Sequence, residues 1–422
     1  MTQPFPLPPI QLFERLQVTD GLLMNADRWR LAHEYHRQRQ NVHYQSLNQP
    51  GIVCGLGVQV MPAPADVPVG YRDGRWIQVQ PGIAIDLAGN PIIVPQAETY
   101  RIAAETSATE PVMVYLVVSY VDPEKLRRKE TTEILKETFR IDERLSPPGE
   151  MEVELCRILL QPGTVQLEVP TDVFFPKLNQ LDLRYRTQAR SRPEAVVRIA
   201  QLTHRDPEYA RSFSHLSYLL QSIPGLYPAM AGVSEVSQLN LSDSSQAAAS
   251  AYDLLFLTGK ESLAFNQQEF EILKSYLETG GVLLVDARPD TPALIESTLA
   301  LAQQLGSPLE DIKRLNRHHP LRTQPFLFAA LPSINQQSVH LGYGGGIILT
   351  VGNLSAAWGL DEKLSLSRET IRSAQELGIN ILHFAWQRRQ LTQLLRSEST
   401  PTPTTPTPSR SQKLKASLYE KL

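Results

Sequence analysis

Between positions 22 and 44 no proline or late glycine interrupts the chain, and Trp29, His36 and His43 recur every seven residues with His33 and Gln40 beside them. That spacing marks one face of an α-helix. It predicts a single amphipathic helix with polar-aromatic packing on a half-buried face, stopped by Asn48-Gln49-Pro50-Gly51. The period then falls to two. Ile52, Cys54, Leu56, Val58 and Val60 should point one way from a strand, and Cys54, like Cys156 in the same β region, is expected to be a small buried hydrophobe. Positions 76–79, 83–85 and 92–94 continue the β pattern, with Ala88-Gly89-Asn90 as a hairpin turn. Two more strands are expected at 112–121 and 153–160. In the intervening run 122–149, Lys125, Arg127, Arg128 and Lys129 face Glu130, Glu133 and Glu137 at helical spacings. A solvated helix or loop is expected there, with a docking surface as the alternative.

After about position 190 strands and helices alternate, the signature of a parallel sheet covered on both faces. A strand over 196–202 precedes a helical stripe of Phe213, Leu216, Leu219, Leu220 and Ile223, closed by Pro224-Gly225. Positions 252–257 read as a strand buried on both faces. Asn266 with Glu269 three residues on predicts a capped helix whose inner face is Phe270, Leu273 and Leu277. Gly280-Gly281 ends it, and 282–285 is the next strand. A helix over 292–305, a buried strand over 347–351 and one or two helices over 366–395, broken near Gly378, complete the pattern.

The two ends differ from the middle. Residues 1–21, with Pro4, Pro6, Pro8 and Pro9, are expected to form an extended arm. Residues 397–409 are a Thr/Pro linker, whose run Ser399 to Ser409 reaches roughly 34 Å at about 3.1 Å per residue. A cationic peptide, 410–422, follows it, in which Leu414, Leu418 and Leu422 recur at i+4. These leucines are the expected contacts of a docking segment, with a membrane surface as the alternative target. Two main domains are expected between the arms, 22–185 and 193–396.

Composition narrows the possibilities. Of 422 residues, 41 are Lys or Arg and 44 Asp or Glu, a net charge of −3, so no global basic field points to nucleic acid. The most apolar stretch, 112–121, is half the length a spanning helix needs and contains Tyr115, Ser119 and Tyr120. MTQPFPLPPIQLF has neither the basic nor the apolar region of a signal peptide, and Cys54 and Cys156 stand 102 positions apart. A reducing, cytoplasmic setting is therefore expected.

Candidate chemistry is sparse. His33-Glu34-Tyr35-His36 has its histidines at i and i+3, not the i and i+4 of a zinc-protease helix, and His43 is about 10.5 Å further along. Gly342-Tyr343-Gly344-Gly345-Gly346 precedes a strand, whereas phosphate loops follow one, so a tight turn is expected. Ligands of doubly wound sheets sit at the carboxyl ends of strands. That places Thr258, Lys260, Asp286, Arg288 and Asn353 at the candidate binding edge, with His318 and His319 in a loop able to reach it. Asp286 and His319 could perform acid-base work in a hydrolase or transferase. A small-molecule or glycan-binding module at the same edge is the other alternative. No nucleophile elbow accompanies these residues, and neither a cofactor nor a metal is called for.

Two family resemblances follow. Leu22-Leu23-Met24, Tyr35-His36-Arg37, Pro50-Gly51-Ile52-Val53-Cys54-Gly55-Leu56, then Pro81-Gly82-Ile83-Ala84-Ile85-Asp86 and Gly89, resemble baseplate-associated proteins of phage-tail-like contractile injection systems. In those proteins a helix with a Tyr-His pair precedes a GVVxGL strand and a PGxAID strand. The likeness covers about residues 10–185. It implies a structural module whose partners are other baseplate, spike or sheath proteins, within a large cytoplasmic particle. Residues from about 195 to 390 resemble a bacterial family of unknown function with a fold similar to class I glutamine amidotransferases. Tyr252-Asp253, Gly259, Glu269, Tyr276-Leu277, Gly280-Gly281, Asp286, His319-Pro320-Leu321 and Gly378-Ile379-Asn380-Ile381 carry it. No cysteine follows Leu257, so amidotransferase chemistry is not expected. The reading is a helix-plus-antiparallel-β (α+β) domain joined to a doubly wound, flavodoxin- or amidotransferase-like α/β domain, acting together as a non-catalytic adaptor.

Overall fold

A computed structural model describes residues 12–106, 109–122, 136–163, 165–203, 209–233, 236–242, 246–359 and 365–397. The first eleven residues of the proline-rich arm, the basic-acidic run at 123–135, and the Thr/Pro spacer with its docking leucines Leu414, Leu418 and Leu422 lie outside them. The chain divides into two units of mixed α and β structure, Met1–Arg192 and Pro193–Leu422.

Helix α1 (Ala26–Leu47) opens the first unit. Asn25 caps it by accepting the Arg28 N–H at 2.9 Å, and the Asn48 N–H closes its last turn on the Tyr44 carbonyl. Among the described residues ten strands follow: β1 (Gly51–Gly55), β2 (Val58–Val60), β3 (Trp76–Val79), β4 (Gly82–Ile85), β5 (Pro91–Val94), β6 (Glu98–Arg101), β7 (Val112–Val121), β8 (Thr138–Arg144), β9 (Glu152–Leu160) and β10 (Leu181–Asp182). They form three antiparallel sheets, in the orders β1-β4-β5, β2-β3-β6 and β10-β9-β7-β8. The alternating apolar residues meet in one core built on Ile52, Leu56, Ile77, Leu116, Leu155 and Ile158.

Three expectations need correction here. The run 122–149 is not wholly helix or loop: β8 pairs with β7 from Thr138 to Arg144. Cys54 is exposed, because the β1–β4 register shifts between Ile52 and Cys54 and interrupts the alternation, which resumes at the buried Leu56 and Val58; Cys156 is buried as expected. The face of α1 carrying Trp29, His33, His36, Gln40 and His43 is the exposed one, and no residue of the helix is fully buried. The opposite face meets the β4–β5 hairpin. There the Asn41 and Asn90 amides hydrogen-bond at 2.8 Å and Gln45 Nε2 donates to the Leu87 carbonyl. The helix backbone comes so close that a Cβ on Gly89, itself at φ +79, would lie 2.3 Å from the Asn41 carbonyl oxygen.

The polar stretch ahead of position 193 is tied down. The Ile52 N–H donates to Thr187, the Ala189 N–H to Ile52, and the Arg192 N–H to Leu47.

The second unit contains β11 (Ala195–Val197), β12 (Ile199–Leu202), α2 (Tyr209–Leu226), β13 (Met230–Gly232), β14 (Ser237–Leu239), α3 (Gln246–Ala249), β15 (Leu254–Thr258), α4 (Gln267–Glu278), β16 (Val282–Ala287) and α5 (Pro292–Gln304). After these come β17 (Glu310–Asp311), α6 (Pro320–Thr323), β18 (Ser333–Ile334), β19 (Gln337–Ser338), β20 (His340–Gly344), β21 (Ile347–Val351) and α7 (Arg368–Ser397). Its main sheet runs β14-β12-β15-β16-β21-β20-β17; the first five strands are parallel, and β20 joins both β21 and β17 by antiparallel pairing. Leu254, Phe256 and Leu284 face α2 and α7, whereas Leu255, Leu283 and Val285 face α4 and α5. Both faces are therefore covered, as near-continuous apolar strands require. The Asn266–Glu269 capping box is present at the head of α4. Gly378 breaks nothing: α7 runs unbroken through it, and a Cβ there would lie 2.7 Å from Leu219 Cδ1 and 2.9 Å from Trp358 Nε1. It is glycine because Leu219 of α2 and the Trp358 ring come that close.

Candidate functional site

The carboxyl edge of the parallel strands gathers most of the candidate residues, and the structure engages them in holding the edge together. Asp286, in phase with Leu284 on β16, is 1% exposed. Its Oδ1 accepts from Thr350 Oγ1 at 2.8 Å and the Leu354 N–H at 3.1 Å, and its Oδ2 from the Ser355 N–H at 2.8 Å. One carboxylate thus caps the turn after β21 and ties it to the neighbouring strand. Burial pushes its pKa up, against the hydrogen bonds from Ser355 and Thr350. Thr258 Oγ1 donates to the Asp286 carbonyl at 2.6 Å. Arg288 pairs with Asp290 at 3.2 Å. Asn353 takes φ +58, and its N–H, with that of Gly352, turns back to the Ala287 carbonyl. Lys260 is exposed on the loop after β15.

His319 is elsewhere. Its Nδ1 accepts the Leu321 N–H at 3.3 Å as the cap of α6, and its ring lies 5.1 Å from that of Tyr343 and 5.5 Å from that of Phe384. Tyr343 pairs with Ile348, whereas Asp286 pairs with Thr350. Among the described residues no hydrogen bond joins Asp286 to His319, so the acid-base pair held open as an alternative is not assembled. Burial lowers the His319 pKa with no carboxylate to oppose it. The histidine that the Asp286 charge does act on is His215 of α2, whose pKa burial lowers and Asp286 raises. Sequence reasoning passed it over because it lies between the apolar stripe residues Phe213 and Leu216, where only the fold reveals a facing carboxylate.

Thiol chemistry has no place at this edge. Cys54 and Cys156 both belong to the first unit, and burial pushes the Cys156 thiol up to about 12. The glycine run at 342–346 forms the turn between β20 and β21, with Gly345 at φ +59 and Gly346 at φ +98.

In the first unit the outward stripe of α1 borders an open groove of about 990 Å³, whose far side is Tyr120, Asp122 and Glu137. Trp29 is 59% exposed and stacks edge-on against His33 at 5.1 Å. Arg37 spans the groove, 2.6 Å from Glu34 and 3.5 Å from Asp122. Among the described residues no group of three or more His, Cys, Asp or Glu side chains could hold a metal. The same unit displays an apolar loop, where Val173, Phe174 and Phe175 project beyond an Asp172 turn.

One family model matches part of the second unit. Residues 198–386 match the family model described as a domain of unknown function (DUF4159), a stretch similar to that family and running from β12 to α7. A cytoplasmic protein from Salmonella typhimurium is a structural neighbour at a TM-score of 0.25 and 12% identity, over 44% of this chain and 98% of that one. No curated protein matches the chain. Among the described residues no helix is long and apolar enough to cross a membrane.

Proposed function

We propose that the chain is a non-catalytic adaptor in the baseplate of a contractile injection particle, working in the cytoplasm. The observation that carries the adaptor reading is α1. It is a 22-residue helix with no fully buried residue, displaying Trp29, His33, His36 and Gln40 along a groove, with His43 exposed beyond them. An isolated helix of this length is marginal in water, and a polar helix without an apolar face gains little from its own domain. A partner lying along the stripe would supply what the fold leaves out, with Trp29 as the aromatic anchor. The Phe174-Phe175 loop offers a second apolar contact on the same unit.

The baseplate placement rests on the resemblance of residues 10–185. The second unit is read as an amidotransferase-like fold without its nucleophile: the segment after β15, Thr258 to Ser262, has no cysteine, and Asp286 is committed to three hydrogen bonds. Hydrolase or transferase chemistry through Asp286 and His319 is disfavoured because each is engaged as a cap and no hydrogen bond joins them among the described residues.

Fractionation of a lysate in which the particle assembles tests the proposal. The full chain should travel in the high-mass fraction with sheath and tube proteins. If it stays in the low-mass fraction while intact particles form without it, the proposal fails.

A further inference from the structure

One cavity in the second unit is lined by none of the residues singled out at the sheet edge. His340 opposite Val351 brings the start of β20 level with the carboxyl ends of the parallel strands, one strand further out. Beside it the Ile312 N–H donates to the Leu341 carbonyl at 2.9 Å, and the Val339 N–H to Pro332 at 2.9 Å. Arg322 of α6 is pinned across the opening: Nε donates to the Phe328 carbonyl at 2.9 Å and Nη2 to the Ala329 carbonyl at 3.3 Å. Beside these contacts lies a half-open hollow of about 180 Å³, with the buried Ile312, Phe328 and Val339 in its lining and Lys313, Arg322 and His340 at its more exposed positions.

The rim charge is unbalanced. No carboxylate lies within ion-pair distance of Lys313, Arg322 or His340 among the described residues, although Arg37, Arg101, Arg144, Arg157, Arg184, Arg288, Arg372 and Arg389 each have one. The nearest acid in sequence, Asp311, turns its Oδ1 to the Lys313 backbone N–H at 2.8 Å. The Nη1 group of Arg322 takes part in neither carbonyl bond, so the guanidinium is held in place while part of its hydrogen-bonding fork stays open.

We propose that this cavity binds a small amphipathic acid, a carboxylate on an apolar body of about six to nine heavy atoms. An apolar cavity of about 150 Å³ is large enough for benzene, so a six-carbon chain or ring fits this floor. The carboxylate then meets Arg322 and Lys313 at the rim, where a charged acceptor bonds more strongly than a neutral one. Neither half suffices alone: acetate has no body to displace water from the floor, and hexanol no charge to answer the rim. The inference stands independently of the adaptor reading, since it concerns other residues in the other unit.

Calorimetric titration of the full chain with hexanoate and benzoate is the test. At least one should bind saturably with a Kd below about 1 mM, and acetate and hexanol at least about tenfold more weakly. Arg322 also holds its loop, so the informative variants are Lys313→Glu, at an exposed side chain, and Ala330→Trp, which fills the cavity from its lining. Lys313→Glu should weaken hexanoate binding about tenfold or more, and Ala330→Trp should abolish it with the unfolding midpoint unchanged. The proposal is overturned if neither acid saturates by about 10 mM, if hexanol binds as well as hexanoate, or if a folded Ala330→Trp protein binds like the parent.

Discussion

The two long helices of this protein are built on opposite terms. Helix α7 packs Ala374, Leu377, Ile379, Ile381, Leu382 and Ala385 into the core, and Asn380 satisfies its amide on Phe326 and Leu321. Helix α1 buries nothing completely and holds its unit through amides, an arginine and a glycine contact. Helix α7 exists because its own chain covers it. Helix α1 shows solvent Trp29, of a residue type that interfaces favour, flanked by exposed histidines. The comparison teaches that a long helical pattern in a sequence does not reveal which surface it is meant for.

Two tryptophans sharpen that contrast most strongly. Trp358 is fully buried against Phe256 and α7, with Nε1 donating to the Ala374 carbonyl at 3.1 Å. Trp358→Ala should destabilise the second unit by about 3–5 kcal/mol in urea titration. Trp29→Ala, on the exposed face of α1, should cost under about 0.5 kcal/mol in the first. Equal losses would erase the distinction between the helices.

Asp286 comes next. Replacing it with alanine strands the buried N–H groups of Leu354 and Ser355 and should cost on the order of 3 kcal/mol in the same titration. Glutamine hydrolysis should stay at background in the parent and in both Asp286→Asn and His319→Gln. Activity in the parent that either change removes would restore an enzymatic reading of this edge.

A smaller effect depends on pH. Burial raises the Asp253 pKa to about 6, against the Arg198 N–H bond at 2.8 Å and the Arg389 charge. The folded state therefore holds a proton there that the unfolded chain has released, so Asp253 contributes less stability as pH rises from about 4 through about 6. Stability of Asp253→Asn relative to the parent should improve with rising pH, by on the order of 2 kcal/mol between about pH 4 and 7. A pH-independent difference between the two proteins would show that the Arg389 pair holds this carboxyl at an ordinary pKa.

Much of the local structure is legible in the sequence. The Asn266–Glu269 box, the strands 112–121 and 347–351, the hairpin at Ala88-Gly89-Asn90 and the turn at 342–346 follow from spacing and turn chemistry. What escapes is set by partners distant in sequence. Which face of α1 turns inward is decided by Asn90 and Leu87, more than forty residues later. Cys54 is turned outward by a register shift against β4. Gly378 looks like a breaker until Leu219 and Trp358 are placed against it. The candidate edge was legible as a location, but the side chains there were spent on capping, and the cavity beside it is lined by residues with no pattern among them.

The most direct test of the adaptor account is co-sedimentation of the full chain carrying Trp29→Ala and His36→Ala together. The account predicts a protein with the parent's unfolding midpoint that no longer travels with sheath and tube proteins. Undiminished co-sedimentation of that double variant would contradict it.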